Sequence, residues 1–273
     1  MAFKLGDIII DRLQFGYGAS SSGTPLYALT QLTEASIEIS ADSEDITDKD
    51  GNLVYRKYKG KKGEVTATNA FMNLAVIEAL SATDAEIADN GSTVKMPVIQ
   101  EVKAGKNATL DITGCEKDSD GTYIIAVSGL SKQGSLGKEY LKAASGEAAT
   151  ETEYYVKNDG TKDILYLPTN NEEIKYIVKY NKEVKSGAKI TNTGDNFPKS
   201  HELFFKALAV DPCDKENFRA VIIHIPSFMP SPEFTLALQG GDSQTMEYKG
   251  AMMLDTCSAD KELFSVYFVD EVE

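Results

Sequence analysis

Residues 33–82 read TEASIEISADSEDITDKDGNLVYRKYKGKKGEVTATNAFMNLAVIEALSA, and the fold turns on them. Glu34–Ser40 alternates strictly, with Ala35, Ile37 and Ile39 on one side and Glu34, Ser36, Glu38 and Ser40 on the other. Gly63–Asn69 alternates likewise, setting Val65 and Ala67 against Glu64, Thr66 and Thr68. A period of two marks strands with one buried and one wetted face. The wetted residues of these two segments are carboxylates and hydroxyls, with no basic group. Between the segments lie Asp42, Glu44, Asp45, Asp48 and Asp50, followed by Arg56, Lys57, Lys59, Lys61 and Lys62. This order predicts a strand, an acidic loop, a strand over Leu53–Tyr58, a basic turn punctuated by Gly60 and Gly63, and a final strand. Asp50-Gly51-Asn52 supplies turn chemistry at the end of the acidic loop.

A helix follows. Phe71, Leu74, Ile77 and Leu80 recur at helical spacing, Met72 and Val76 widen the apolar face, and Thr68 and Asn69 both suit an N-cap. No other segment of the chain carries a comparable helical pattern. Working outward, Ile8–Ile10 begins a first strand, and Gly18–Pro25 is a loop of small residues with several breakers. After residue 90 short strands are expected over Lys95–Val102, Ala108–Thr113, Thr122–Val127, Glu153–Val156, Asp163–Leu167, Glu173–Asn181 and Ala188–Thr193. Asp120-Gly121 and Asp159-Gly160 act as hairpin turns, and Ser128–Thr150 reads as a loop. Longer strands return over Glu202–Val210, Asn217–Ile225, Glu233–Gln239, Thr245–Lys249 and Leu263–Val269. The pattern is mainly β, a sandwich or barrel with one flanking α-helix. Residues 103–199 are expected to form a small β lobe inserted into a core made of 1–102 and 200–273.

Composition narrows the function. The 273 residues carry a net charge of −14, which disfavours tight binding to DNA or to an anionic membrane while permitting loose contact. Cys115, Cys213 and Cys257 are odd in number and widely spaced, so they indicate neither a disulfide framework nor a zinc site, and reduced thiols in a cytoplasmic setting are expected. The opening MAFKLGDIIIDR has an apolar run shorter than a signal peptide needs, and no apolar stretch reaches membrane-spanning length. The sequons at Asn90 and Asn107 therefore carry no weight.

Catalytic patterns are sparse. His201 and His224 are the two histidines, and His224 sits within AVIIHIP as a core or interface residue. Gly16-Tyr-Gly18 lacks the third glycine and the helix of a dinucleotide site. Asp48-Lys-Asp50-Gly51 and Asp118-Ser-Asp120-Gly121 match the middle of a calcium loop, but the twelfth position falls on Lys57 and Val127 instead of glutamate. Both are read as Asp-Gly turns. No enzyme activity, cofactor or metal is indicated. The basic cluster, interleaved with Tyr55 and Tyr58, could hold nucleic acid. With the acidic tract directly before it, the polarised hairpin better suits pairing with another copy of the chain, and a merely solvated hairpin is the plain alternative.

The focal segment, EISADSEDITDKDGNLVYRKYKGKKGEVTATNAFMNLAVIEALSA, resembles the core of bacteriophage tail tube proteins, the major tail proteins. FRAVIIHIPSFMPSPEFTLALQGGDSQTMEYKGAMML resembles their closing strands. The resemblance implies a β-sandwich subunit forming hexameric rings that stack into a hollow tube in the virion, with one sheet of each subunit joining a continuous inner barrel. It implies partners of the tape-measure, distal-tail or baseplate and terminator kinds, transient passage of DNA during ejection, and assembly in the host cytoplasm, with no membrane binding. Glu34, Ser36, Glu38, Ser40, Glu64, Thr66 and Thr68 would face the bore. Asp42, Glu44, Asp45, Asp48, Asp50, Arg56, Lys57, Lys59, Lys61 and Lys62 would lie between subunits. Added β-domains such as 103–199 would decorate the outside. A carbohydrate-binding β-sandwich is the alternative, with Tyr154, Tyr155, Tyr166, Tyr176 and Tyr180 as a sugar-stacking face; the lack of tryptophan weighs against it.

Overall fold

The computed structural model describes residues 7–89, 91–105, 108–131, 134–143, 149–169, 174–212, 214–236, 245–254 and 261–269. Cys213, Cys257, both sequon asparagines and residues 237–239 lie outside them; the described part of the strand expected over Glu233–Gln239, residues 233–236, is irregular rather than strand. The chain runs β1 (Ile9–Ala19), β2 (Pro25–Leu29), β3 (Leu32–Thr47), β4 (Leu53–Asn69), α1 (Leu74–Ser81), β5 (Glu86–Ala88), β6 (Val94–Ala104), β7 (Thr109–Asp111), β8 (Ile125–Leu130) and β9 (Leu136–Lys142). It continues with β10 (Glu153–Asn158), β11 (Asp163–Tyr166), β12 (Ile174–Val184), β13 (Gly187–Lys189), β14 (His201–Asp211), β15 (Asp214–Pro230), β16 (Met246–Met252) and β17 (Ser265–Val269). The protein is mainly β, with one α-helix among the described residues.

Two compact units divide the chain: residues 1–84 with 190–273, and residues 85–189. The second unit takes in β6, which a lobe of 103–199 would have cut, because β6 pairs with β12 from Val94↔Val184 to Ala104↔Ile174. Its sheet has the order β6-β12-β8-β9-β10-β11-β7, and β5 pairs with β13 separately. Ile112, Val127, Leu165, Tyr176 and Val178 fill its core. Pro97 and several charges lie on β6, an edge strand, where a missing N–H and charged side chains discourage further pairing.

The first unit is an eight-stranded sheet in the order β2-β1-β14-β15-β16-β4-β3, with β17 also paired to β15. Its ends, β2 and β3, are consecutive in sequence and joined by Thr30-Gln31 alone, so the sheet curls into a near-barrel. Asn69 ties this closure: its Oδ1 accepts from Gln31 N at 3.1 Å, and its Nδ2 donates to Phe71 O at 2.7 Å. The enclosed core holds Tyr27, Leu29, Val65, Ala67, Leu203, Phe205, Ile225, Phe228 and Tyr248. A polar knot crosses it. Tyr27 Oη lies 2.6 Å from His201 Nε2 and bonds Tyr248 Oη, while His201 Nδ1 sits 3.1 Å from Lys199 O. Nδ1 donates to that carbonyl, and burial holds the imidazole below its ordinary value, so at neutral pH the ring is neutral and Nε2 accepts from a tyrosine hydroxyl. Gly250 is required where β16 pairs with the end of β15, because a Cβ there would stand 2.3 Å from Met229 O and 2.7 Å from Pro230 Cα.

The helix begins later than its apolar spacing suggests. Asn73, rather than Thr68 or Asn69, is the N-cap, accepting from Ala75 N at 3.0 Å and Val76 N at 3.4 Å. The buried face is therefore Val76, Ile77 and Leu80, while Phe71 and Leu74 are exposed.

Candidate functional site

The segment that sequence split into three strands, a loop and a turn is one long hairpin. β3 and β4 pair from Leu32↔Asn69 to Thr47↔Leu53, with register shifts between Leu32 and Glu34, at Gly60 and between Ile46 and Thr47. The expected acidic loop is strand: Asp42, Glu44 and Asp45 lie on β3, Arg56, Lys57, Lys59, Lys61 and Lys62 lie on β4, and Asp48 and Asp50 alone occupy the turn. Opposite charges face each other across the ladder. Arg56 grips Asp45 with Nε–Oδ1 at 2.6 Å and Nη2–Oδ2 at 2.9 Å. Lys59 meets Glu44 at 2.7 Å, and Lys62 meets Asp42 at 3.1 Å. Hydrogen bonding to Arg56 holds the Asp45 carboxyl below its ordinary value. These pairs are exposed and contribute little stability. Their consequence is that much of the arm's charge is answered within one copy, which leaves fewer carboxylates for a neighbour.

Both acidic turns are closed by their own carboxylates. Asp48 Oδ1 accepts from Asp50 N at 2.9 Å and Asn52 N at 2.8 Å, with Gly51 at φ +85°. Asp118 Oδ1 accepts from Asp120 N at 3.0 Å and Thr122 N at 2.8 Å. The lone pairs that a calcium ion needs are thus engaged by backbone N–H groups. Among the described residues no group of three or more His, Cys, Asp or Glu side chains could hold a metal.

Nearer the body, the register assembles one exposed face. Glu34 lies opposite Thr68, Ser36 opposite Thr66, Glu38 opposite Glu64 and Ser40 opposite Lys62. Strand β16 widens it, with Glu247 beside Thr68 and Lys249 beside Thr66. Glu34, Ser36, Glu38, Ser40 and Glu64 are exposed, Thr66 and Thr68 are half-buried, and Ala35, Ile37, Val65 and Ala67 point to the core. Ile39, expected in the packed interior, is 41% exposed because the hairpin leaves the core there. Two basic groups that the sequence pattern did not assign to this face, Lys62 and Lys249, join it. Each has an acid within reach, Asp42 at 3.1 Å and Glu233 at 3.7 Å. Glu34, Glu38 and Glu64 have no basic partner among the described residues. Two like charges directly opposite on a ladder destabilise it, so Glu38 and Glu64 are held together against their own repulsion.

The other half of the sheet's outer surface differs in kind. Rows across β1, β14, β15 and β17 run Tyr17–Phe204–His224–Ser265 and Phe15–Lys206–Ile222–Tyr267, with Phe218 beyond them. His224 lies flat on Phe204, centroids 4.4 Å apart, with Nε2 at 3.4 Å from Glu202. Sequence reasoning missed this face. The signal was available in the unbroken apolar run AVIIHI, since strands covered on both sides lose their alternation.

Acidity is unevenly shared. Residues 85–189 hold 14 Lys and Arg against 16 Asp and Glu, net −2, while the remainder holds 14 against 26, net −12. The acidic field therefore belongs to the unit carrying the hairpin. In the second unit Tyr154, Tyr176 and Tyr180 are core residues and cannot stack on a sugar, while Tyr155 and Tyr166 stack on each other at 5.5 Å. Cys115 is also buried there, and burial pushes its thiol up to about 11.

No curated protein matches the chain. Residues 17–264 match the YomU/Tube protein family, a span that includes the hairpin, the second unit and the curled sheet except β17 and most of β1. That match covers most of the chain, and the chain belongs to the YomU/Tube family of phage tail tube proteins.

Proposed function

We propose that the chain forms rings of six that stack into the tail tube, and that the face of Glu34, Ser36, Glu38, Ser40, Glu64, Thr66 and Thr68 lines the bore through which the genome is ejected. The observation that carries this is Glu38 opposite Glu64, with Glu34 nearby and no basic partner among the described residues. A ring of such subunits presents carboxylates and hydroxyls to DNA and offers no run of lysines from which phosphates could release counterions. Duplex then slides without adhering, because a conduit needs weak contact. Lys62 and Lys249 do not reverse this, since Asp42 and Glu233 stand beside them.

The arm reaches about 33 Å beyond Gly63 if its ten residues are fully extended, and it bridges to a neighbouring copy. The exposed edge of β3, a 16-residue strand, pairs with the next subunit so that the ring leaves no open edge. The second unit sits outside the tube. Tape-measure, distal-tail and terminator proteins are the other partners, and assembly takes place in the host cytoplasm. Electron microscopy of the purified protein, alone and with the length-setting and initiator proteins, tests the proposal. Stacked rings with an axial channel are expected; a persistent monomer under both conditions refutes it.

A further inference from the structure

We propose that the apolar outer face of β1, β14, β15 and β17 is the seat on which the arm of a second copy lies. The inference rests on the tube reading and adds to it a specific pair of surfaces. The face measures about 20 Å along the strands by about 14 Å across them, on the order of 300 Å². The aromatic rings and Ile222 make up most of it, with Lys206, His224 and Ser265 set among them, and patches of this order, the largest on a typical monomer, are often functional. Phe15 and Phe218 are each 38% exposed and Tyr267 is 52% exposed, with Phe204 and Ile222 half-buried between them.

The arm carries the second exposed apolar surface. Ile46, Leu53, Val54, Tyr55 and Tyr58 are 52–67% exposed; Ile46 and Tyr55, directly opposite each other, form the apolar patch on one face of the arm, while Tyr58 lies on the other. Two apolar patches on one subunit can be covered in two ways. Like against like gives an isologous contact, which closes at two copies and builds nothing longer. Unlike against unlike propagates, as a tube requires. A two-stranded arm is itself a flat layer, and it can stack on a four-stranded face at the usual separation of about 10 Å.

Charge agrees with this pairing. On the arm, Asp42, Glu44 and Asp45 are engaged by Lys62, Lys59 and Arg56 of the same copy, which leaves Lys57, on the face of Ile46 and Tyr55, without a carboxylate among the described residues. On the seat, Glu202 has the His224 ring 3.4 Å away. An arm lysine reaching Glu202 would supply it with a permanent cation.

The test places the photo-crosslinking residue p-benzoylphenylalanine at Tyr55 and assembles tubes from a mixture of isotopically light and heavy full-length chains. Crosslinked peptides joining a light chain to a heavy chain within 9–19, 201–211, 218–226 or 265–269 are expected. Tubes whose crosslinks map to 85–189, to another arm or within one chain overturn the seat while leaving the tube reading intact. If unsubstituted protein forms no tubes, the tube reading itself falls. Tyr267→Asp supplies a second readout independent of the crosslinker. Its circular dichroism should match the parent, and the concentration needed for assembly should rise at least tenfold. An unchanged assembly concentration overturns the proposal.

Discussion

Glu38 and Glu64 are exposed carboxylates directly opposite each other on β3 and β4, and their mutual repulsion can be measured by reversing each in turn. Side chains directly opposite in a ladder stand about 5 Å apart. At about 5.5 Å between charges in water, the repulsion is about 0.75 kcal/mol. Screening at physiological ionic strength, where the Debye length is about 8 Å, reduces it to about 0.4 kcal/mol, whereas at 0.01 M salt it is about 0.6 kcal/mol. Glu38→Lys or Glu64→Lys turns repulsion into attraction, so each single variant should gain about 0.8 kcal/mol, and the double variant should return close to the parent. The coupling in a double-mutant cycle is then about 1.6 kcal/mol at physiological salt and about 2.4 kcal/mol at 0.01 M. Denaturant unfolding of unassembled subunit at the two salt concentrations provides the measurement. The bore assignment adds an opposite functional demand: the double variant, about as stable as the parent, should still form tubes yet slow DNA passage, most strongly at low salt. A coupling near zero at both salt concentrations would show that the two carboxylates do not face each other. Normal ejection by the double variant at low salt would remove them from the bore.

Other outcomes follow from single contacts. Gly250→Ala brings a Cβ against the Met229 and Pro230 backbone, which cannot swing aside, and should cost about 3 kcal/mol, lowering the melting temperature by about 6–12 °C. An unchanged melting curve would show that β15 and β16 do not approach so closely at Gly250. Burial holds the His201 imidazole below its ordinary value near 6.5. The unfolded chain therefore takes up the proton more readily, so this contribution is intact above about pH 6.5 and is lost as pH falls from there toward the lower folded value. Tyr27→Phe removes the hydroxyl beside Nε2 and should cost about 1–3 kcal/mol at neutral pH; a neutral substitution would contradict the polar knot. Iodoacetamide at pH 8 should leave the Cys115 peptide unmodified until the second unit unfolds, because the thiol is buried and largely protonated. Prompt labelling would place it at the surface.

Some of this was legible in sequence because it rests on period and chemistry. Alternation in Glu34–Ser40 and Gly63–Asn69 gave two strands and their wetted residues, and the register then placed those residues side by side. The arm was misread because Asp and Glu are poor strand formers taken singly, and the cross-strand partners that stabilise Asp42, Glu44 and Asp45 lie 11 to 20 residues away. Helical spacing extended the helix back to Phe71, but spacing cannot say which polar residue turns its side chain onto the first free N–H groups; Asn73 does. Lys249 joined the wetted face through a strand far along the chain, and no local pattern near Glu64 announces it. The apolar seat was visible in outline as a run without alternation, but a run of that kind does not reveal what covers it.

The most direct test of the central claim is a high-resolution cryo-electron microscopy reconstruction of the assembled tube. Glu34, Glu38 and Glu64 of every subunit should point into the axial channel, with the aromatic rows of β1, β14, β15 and β17 covered by protein. A channel lined by those aromatic rows, with the three glutamates turned toward a neighbouring subunit or the outer surface, would contradict the account.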